Sequence, residues 1–283
     1  MNEILLSNGS YMPRLGQGTW FMGEDKGLEG QELESIQTGI EHGMTLIDTA
    51  EMYGEGKSEL LIGKAIQKYD RSKLFVVSKV YPHNAGRSRI FQSCENSLKR
   101  LNTDYLDLYL LHWRGSIPLR ETVECMEELV ASKKIRHWGV SNFDIDDMEE
   151  LWSVPNGKHC VVNQVLYHLG SRGIEYALLP WMREHRVPVM AYSPMAQGGT
   201  LKKQLVSNPV VLMLAERHQA SPMQILLSFV LHQEGFITIP KSSNPKHTLE
   251  NARVADLVLT LEERKLLDEQ FPAPKHKTYL DMI

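Results

Sequence analysis

The chain has 283 residues, with 31 Lys and Arg against 35 Asp and Glu, and a net charge of −4. That length can bury a sizeable core, as one large α/β domain or two small ones, and its dispersed basic residues exclude a nucleic-acid groove. No apolar run approaches the ~20 residues of a membrane span, and Met1 to Gly9 lacks the basic-then-apolar order of a secretory signal. Cys94, Cys125 and Cys160 are odd in number and widely spaced, without zinc-site spacing. They read as reduced, buried thiols of a cytoplasmic protein.

Glu3 to Met12 carries Asn8-Gly9 between apolar flanks, the strongest two-residue hairpin signal, and predicts an N-terminal β-hairpin. Arg14 to Trp20 reads as a short strand ending in a glycine-bearing turn. Gln31 to His42 has helical apolar spacing and stops at Gly43. Leu46 to Asp48 is a strand, Ser58 to about Tyr69 a helix, and Leu74 to Ser78 a strand ending at Lys79. Arg87 to Leu101 is a helix, and Leu106 to Leu111 a strand with His112-Trp113 at its end. Pro118 to Lys133 is a helix with Pro in its first turn. Ile135 to Val140 is a strand ending in Ser141-Asn142, and Ile145 to Trp152 a short helix. Cys160 to Asn163 is a strand ending at Gln164, Ile174 to Arg186 a helix, and Val187 to Ala191 a strand ending in Tyr192-Ser193-Pro194. After a long polar connection come a helix over Pro222 to Gln233 and a strand over Phe236 to Ile239. Helices over Pro245 to Val254 and Thr260 to Gln270 finish the pattern, the last with Thr260 and Glu263 as a capping box.

Eight strand–helix units follow the hairpin with no linker-like stretch between them. The count predicts an α/β fold, a single (β/α)8 TIM barrel domain over residues 1–283 with an N-terminal β-hairpin. A doubly wound open sheet is the rival. No Gly-x-Gly-x-x-Gly opens a helix after the first strand, which argues against its usual dinucleotide-binding version.

The functional face of such a barrel lies at the C-terminal ends of its strands. The predicted exits carry Gly18-Thr19-Trp20, Asp48, Lys79, His112, Ser141-Asn142, Gln164, Tyr192-Ser193 and Lys241-Ser242-Ser243. Any one of these is ordinary; a lone strand-end His is more often structural and a lone Lys solvated. Eight polar exits converging on one mouth are not explained by core packing. The stretch Leu46 to Gly54 is central. Asp48 stands where a buried strand stops, a costly place for a carboxylate unless a cation meets it, and Tyr53 follows on a turn closed by Gly54. Lys79 beside Asp48 forms a partly buried ion pair whose ammonium favours phenolate and lowers the Tyr53 pKa from its usual ~10. A neutral His112 orients a carbonyl oxygen against that hydroxyl. This is equipment for protonating an oxygen as charge builds on it.

With these four come Gly18-Thr19-Trp20, Gly139 to Phe143, Asn163-Gln164, Ala191 to Pro194 and Ile239 to Ser242. The set resembles the aldo-keto reductases in family order over nearly the whole chain. Within them, Asn163 to Arg172 and the short connections resemble the bacterial single-domain reductases of methylglyoxal and related aldehydes. The resemblance implies Tyr53 as general acid, Lys79 and Asp48 as its tuning groups, and His112 as the orienter of the carbonyl. It implies NADPH as hydride donor, with NADH as an alternative. Gly18, Thr19 and Trp20 fall in its cofactor-binding set, and Ser141, Asn142 and Gln164 hold the carboxamide. Tyr192 stacks on the nicotinamide, and Ser193 and Met195 begin the loop across the pyrophosphate. Lys241, Ser242 and Ser243 face the adenosine 2′-phosphate, and Glu250 and Asn251 the adenine. Trp20, Tyr53, His112 and Trp113, with Tyr81, line the substrate pocket.

Two places depart from the family pattern. His247 stands where an arginine usually meets the 2′-phosphate, and imidazole cannot make the bidentate contact of guanidinium. Ala196-Gln197 occupy a loop position that tends to glycine and small residues. After the last helix only Phe271 to Ile283 remain, a short tail that implies an open site for small reactive carbonyls such as 2-oxoaldehydes. Two other classes compete: a nucleotide-sensing regulatory subunit of the same fold with little turnover, and a metal-dependent hydrolase. One strand-exit histidine and one carboxylate are too few for the second. The expected protein is a cytoplasmic monomer that acts on a small carbonyl compound, with no nucleic-acid or membrane partner and no metal.

Overall fold

The chain begins with a hairpin whose loop is one residue longer than Asn8-Gly9 alone suggests. A computed structural model describes residues 3–283. Strands β1 (Glu3–Leu5) and β2 (Tyr11–Pro13) pair antiparallel. Leu6 N–H donates to Ser10 O (2.8 Å) and Gly9 N–H to Leu6 O (3.0 Å), which leaves Ser7-Asn8-Gly9 as a three-residue loop. Gly9 takes φ +87°, the left-handed position that such a loop reserves for glycine.

Eight parallel strands follow: β3 (Gly16–Gly18), β4 (Leu46–Asp48), β5 (Phe75–Val80), β6 (Leu106–Leu111), β7 (Ile135–Ser141), β8 (Asn163–Leu166), β9 (Val189–Tyr192) and β10 (Phe236–Ile239). Each pairs with the next, and the sheet closes on itself. Thr238 N–H donates to Arg14 O (2.8 Å) and Gly18 N–H to Pro240 O (3.1 Å). Around the barrel run α1 (Glu29–Glu41), α2 (Lys57–Ile66), α3 (Ile90–Leu101), α4 (Leu119–Ala131), α5 (Ile145–Ser153), α6 (Leu178–Glu184), α7 (Thr200–Val206), α8 (Pro209–Arg217), α9 (Pro222–Leu231), α10 (Pro245–Ala252) and α11 (Leu261–Gln270). This is the expected (β/α)8 barrel with its hairpin. None of the described helices is long and apolar enough to cross a membrane.

The two-residue period of a strand divides the core in two. Ile47, Val76, Val80, Tyr109, Leu111, Val140 and Val165 belong to the larger cluster, packed with the helices. Leu46, Val77, Leu108, Leu110, Val162, Met190, Ile237 and Ile239 form a second cluster inside the barrel. Leu6 and Met12 of the hairpin join that inner cluster and plug its N-terminal end. One further step of two along the inner rows gives Asp48, Lys79, His112, Gln164, Tyr192 and Lys241. The inside is therefore apolar below and polar at the C-terminal rim, which places the chemistry by strand periodicity alone.

Several boundaries differ from the sequence reading. Lys79 lies inside β5 rather than after it, and β8 starts at Asn163, so Gln164 is an interior strand residue. Pro118 caps α4 from outside instead of entering its first turn. The supposed polar connection after β9 contains α7 and α8.

Candidate active site

Lys79 is the centre of the mouth's polar cluster. It is fully buried, and its ammonium donates to Asp48 Oδ2 (2.7 Å), Thr49 O (2.8 Å) and Tyr53 OH (3.1 Å). Three N–H bonds meet three acceptors, the complement of an ammonium; a neutral amine has one donor fewer. Burial draws Lys79 down and Asp48 up toward their neutral forms, and their mutual attraction opposes it on both sides. The other Asp48 oxygen, Oδ1, accepts from Gln164 Nε2 (2.7 Å), so both oxygens of the carboxylate are engaged.

Tyr53 rises from a short turn, Tyr53–Gly56, in which Gly54, Glu55 and Gly56 all take positive φ. That turn throws the phenol back over the strand ends. The expected lowering of the Tyr53 pKa is not what this surrounding produces. Burial, then the Asp48 charge, push it well above the usual phenol value. Tyr53 is accordingly a phenol at neutral pH, a proton donor with Lys79 behind its oxygen. His112 is held well below the usual imidazole range by burial and by the Lys79 charge, and stays neutral. Its ring meets Tyr53 edge-on at 5.8 Å.

A cavity of about 100 Å³ opens above these groups. Its lining includes Gly18, Thr19, Trp20, Asp48, Tyr53, His112, Ser141, Asn142, Gln164, Tyr192, Ser193 and Lys241, all picked out from the sequence. Met52, Ile239 and Ile283 line it as well and were not anticipated. Ile283 corrects the picture of an open mouth: the tail returns over the barrel, tied by Ser171 Oγ donating to Asp281 Oδ2. Tyr81 and Trp113 form an aromatic wall beside the cavity, meeting edge-to-face at 5.9 Å, with Trp113 4.8 Å from the His112 ring.

Other candidates lie outside the lining. Met195 is packed into the outer core. Ser242 and Ser243 sit on the loop after β10, while His247 and Glu250 are exposed on α10 and Asn251 is buried there. Ala196, in the loop after β9, takes φ +58°, a left-handed position that glycine would hold without strain.

The donor set suits a dinucleotide. Tyr192 presents a flat ring whose hydroxyl donates to Asn142 Oδ1 (2.9 Å). Gln164 uses its amide nitrogen on Asp48 and Met190, which leaves its carbonyl oxygen to accept from an amide. At the far rim Lys241 Nζ donates to Ser243 Oγ (2.7 Å), an ammonium and a hydroxyl arranged for an anion. Among the described residues no cluster of His, Cys, Asp or Glu could hold a metal.

Comparison with known proteins gives the same direction. Residues 14–270 match the model of the Aldo/keto reductase family. Methylglyoxal reductase YeaE of Escherichia coli is 52% identical over 280 residues, 99% of this chain and 98% of that protein. The glyoxal reductase of Bacillus subtilis is 36% identical, over 94% of this chain and 92% of its own. The crystal structure of an aldo/keto reductase from Klebsiella pneumoniae in complex with NADP and acetate superposes with a TM-score of 0.96. It is 48% identical, and the match covers 100% of this chain and 99% of that one. Barrel, polar rim and sequence agree: the chain belongs to the aldo/keto reductase family.

Proposed function

We propose that the protein reduces small aldehydes, 2-oxoaldehydes of the methylglyoxal class among them, to alcohols with NADPH. The observation that carries this reading is Lys79 Nζ placed between Asp48 Oδ2 (2.7 Å) and Tyr53 OH (3.1 Å) beneath the mouth. The names of the most similar relatives, a methylglyoxal reductase and a glyoxal reductase, support the substrate class. The NADP complex of the Klebsiella structure supports the cofactor.

When bound, NADPH supplies the hydride that adds to the carbonyl carbon. The chain's own residues deal with the oxygen. Neutral His112 hydrogen-bonds it and fixes the carbonyl toward Tyr53. As negative charge develops there, the Tyr53 phenol gives up its proton, and the phenolate left behind is met by the Lys79 ammonium. Asp48 keeps Lys79 charged in a buried place, and Gln164 holds Asp48 in line. In this reading Ser141, Asn142, Gln164 and Tyr192 hold the nicotinamide, and Lys241 with Ser243 the 2′-phosphate. Trp20, Tyr81 and Trp113 form the apolar walls of a small pocket under the returning tail. Residues 1–283 act as one domain and one chain completes the mouth, in keeping with a cytoplasmic monomer whose three cysteines are free and buried. No observation favours a regulatory subunit without turnover.

The test is Tyr53→Phe. Expected is a fall in turnover with methylglyoxal of about 10²- to 10⁴-fold, the usual share of a general acid, with the NADPH dissociation constant changed less than about twofold. Turnover retained in a variant that still binds cofactor would remove Tyr53 from the role of acid.

A further inference from the structure

Glu32 is a buried carboxylate that the reduction does not use. It lies on α1, is 1% exposed, and has no ion pair among the described residues. Its oxygens accept from two neutral donors: Gly23 N–H (2.8 Å) and Ser243 Oγ–H (3.3 Å). Gly23 follows the Trp20 turn on the substrate side, and Ser243 belongs to the loop after β10. One side chain thus joins the two loops that flank the cofactor groove.

Hydrogen bonding alone does not account for a charge here. A glutamine carbonyl accepts from Gly23 equally well, without the cost of several kcal/mol for an uncompensated buried charge. The loop is also held independently, by Gln31 Nε2 on Ser243 O (2.7 Å) and Ser35 Oγ on Ser242 O (2.9 Å). What the carboxylate adds is a negative field on the Lys241–Ser243 pair. Ser243 directs its hydrogen to Glu32 and turns its oxygen to the Lys241 ammonium. Those two donors are the ones that the proposed function gives to the 2′-phosphate.

We infer that Glu32 sets the cofactor selectivity of the enzyme, by competing with the adenosine 2′-phosphate for Lys241 and Ser243 and so narrowing the preference for NADPH over NADH. This rests on the function proposed above. A dinucleotide with a 2′-hydroxyl brings no charge to this corner and is indifferent to Glu32. A 2′-phosphate must take the Ser243 hydrogen from the carboxylate and sit near a like charge. His247 is exposed on α10, and an imidazole cannot make the bidentate contact of a guanidinium there.

The experiment is a pair of fluorescence titrations, NADPH and NADH, on the full chain and its variants. Glu32→Gln is expected to tighten NADPH by about fivefold, on the scale of one Coulomb interaction at intermediate dielectric, and to move NADH by less than about twofold. Glu32→Asp, which keeps the charge, is expected to stay near the original ratio. Gln31→Glu places a second carboxylate beside the loop but removes the Nε2 donor to Ser243 O, so Gln31→Met, which removes the donor alone, is its control. Relative to Gln31→Met, Gln31→Glu is expected to weaken NADPH selectively by about threefold. Equal shifts for both dinucleotides, or a ratio that neither Glu32→Gln nor Gln31→Glu moves, would leave Glu32 a structural tie and overturn the inference. Failure of the unaltered chain to bind either dinucleotide would overturn the proposed function, and this inference with it.

Discussion

Lys79 has three ammonium hydrogens and three acceptors, and each bond serves a different end. The bond to Thr49 O fixes the side chain to the backbone, the bond to Asp48 keeps the charge, and the bond to Tyr53 presents it to the chemistry. Removing the amine separates these roles. Lys79→Met fills similar volume but leaves Asp48 buried with only the Gln164 amide, and an unpaired buried charge costs about 3–5 kcal/mol. The expected result is a lower denaturant midpoint with unchanged slope, together with loss of turnover. Lys79→Met in an Asp48→Asn background should regain most of the stability and none of the activity, because the lone charge is gone while the phenol remains without its ammonium. Recovery of activity in the double variant would show that Lys79 serves only to hold Asp48.

The turn from β3 to α1 shows how an element can be legible in outline and hidden in detail. Thr19 O accepts from Met22 N–H (3.0 Å), and Phe21 takes φ +62° within this turn, 56% exposed with its ring stacked 4.5 Å from Trp20. A bulky residue in the left-handed region costs roughly 1–2 kcal/mol, and glycine avoids that cost. Phe21→Gly should therefore be more stable than Phe21→Ala by about 1 kcal/mol, the reverse of the usual order in regular structure, as read from paired melting temperatures. The ordinary order would show that the turn relaxes. Nothing in Trp20-Phe21-Met22 announces a left-handed aromatic, since turn chemistry reads as glycine or asparagine there. The buried strands, by contrast, were plain: Leu46 to Asp48, Leu106 to Leu111 and Phe236 to Ile239 fall where their apolar runs place them. Asn208-Pro209 is a good helix start, with Asn208 Oδ1 accepting from Val210 N–H (2.9 Å). It is missed when the polar residues on either side are given more weight than the continuous apolar run Val210 to Ala215, which lacks helical spacing. The rim residues were legible because each closes a strand. Glu32 and Ile283 were not, since one sits in the first turn of a helix, where an acidic residue is ordinary, and the other on an aperiodic tail whose docking place no local pattern encodes.

At the scale of the molecule, histidines fasten both ends of the barrel, the half-buried His137 at one and the buried His168 at the other. His137 is hydrogen-bonded at both ring nitrogens, Nδ1 accepting from Asn8 Nδ2 (2.9 Å) and Nε2–H donating to Ser10 Oγ (3.2 Å), and so secures the hairpin plug. His168 is 3% exposed, and its Nδ1 accepts from Gly170 N–H (3.1 Å) in the small turn whose Ser171 holds the tail through Asp281. Burial lowers His137, against the nearby Asp107 charge, and pushes His168 down to about 4, against Asp281. His112 at the mouth is lowered for the same reason. All three are neutral when folded and take up a proton on unfolding below the ordinary imidazole value of ~6.5. The unfolded chain then binds more protons than the folded one, so stability falls as pH falls. The effect is absent above pH ~6.5 and accumulates down to about pH 4, where folded His168 itself titrates. Glu263, which burial raises but its Thr260, His218 and Arg217 partners lower to about 2, adds loss as pH falls below the ordinary carboxyl value of ~4.3. At ~1.4 kcal/mol per unit of displacement, His168 alone accounts for roughly 3 kcal/mol over this window. Melting temperature should hold level from pH 8 to 6.5 and then drop steadily toward pH 4. His168→Gln, whose amide oxygen can still accept from Gly170, should flatten part of that drop. A melting temperature that rises on acidification from pH 6.5 to 4 would mean that these rings are protonated in the folded chain, and that His112 does not meet a carbonyl as a neutral imidazole.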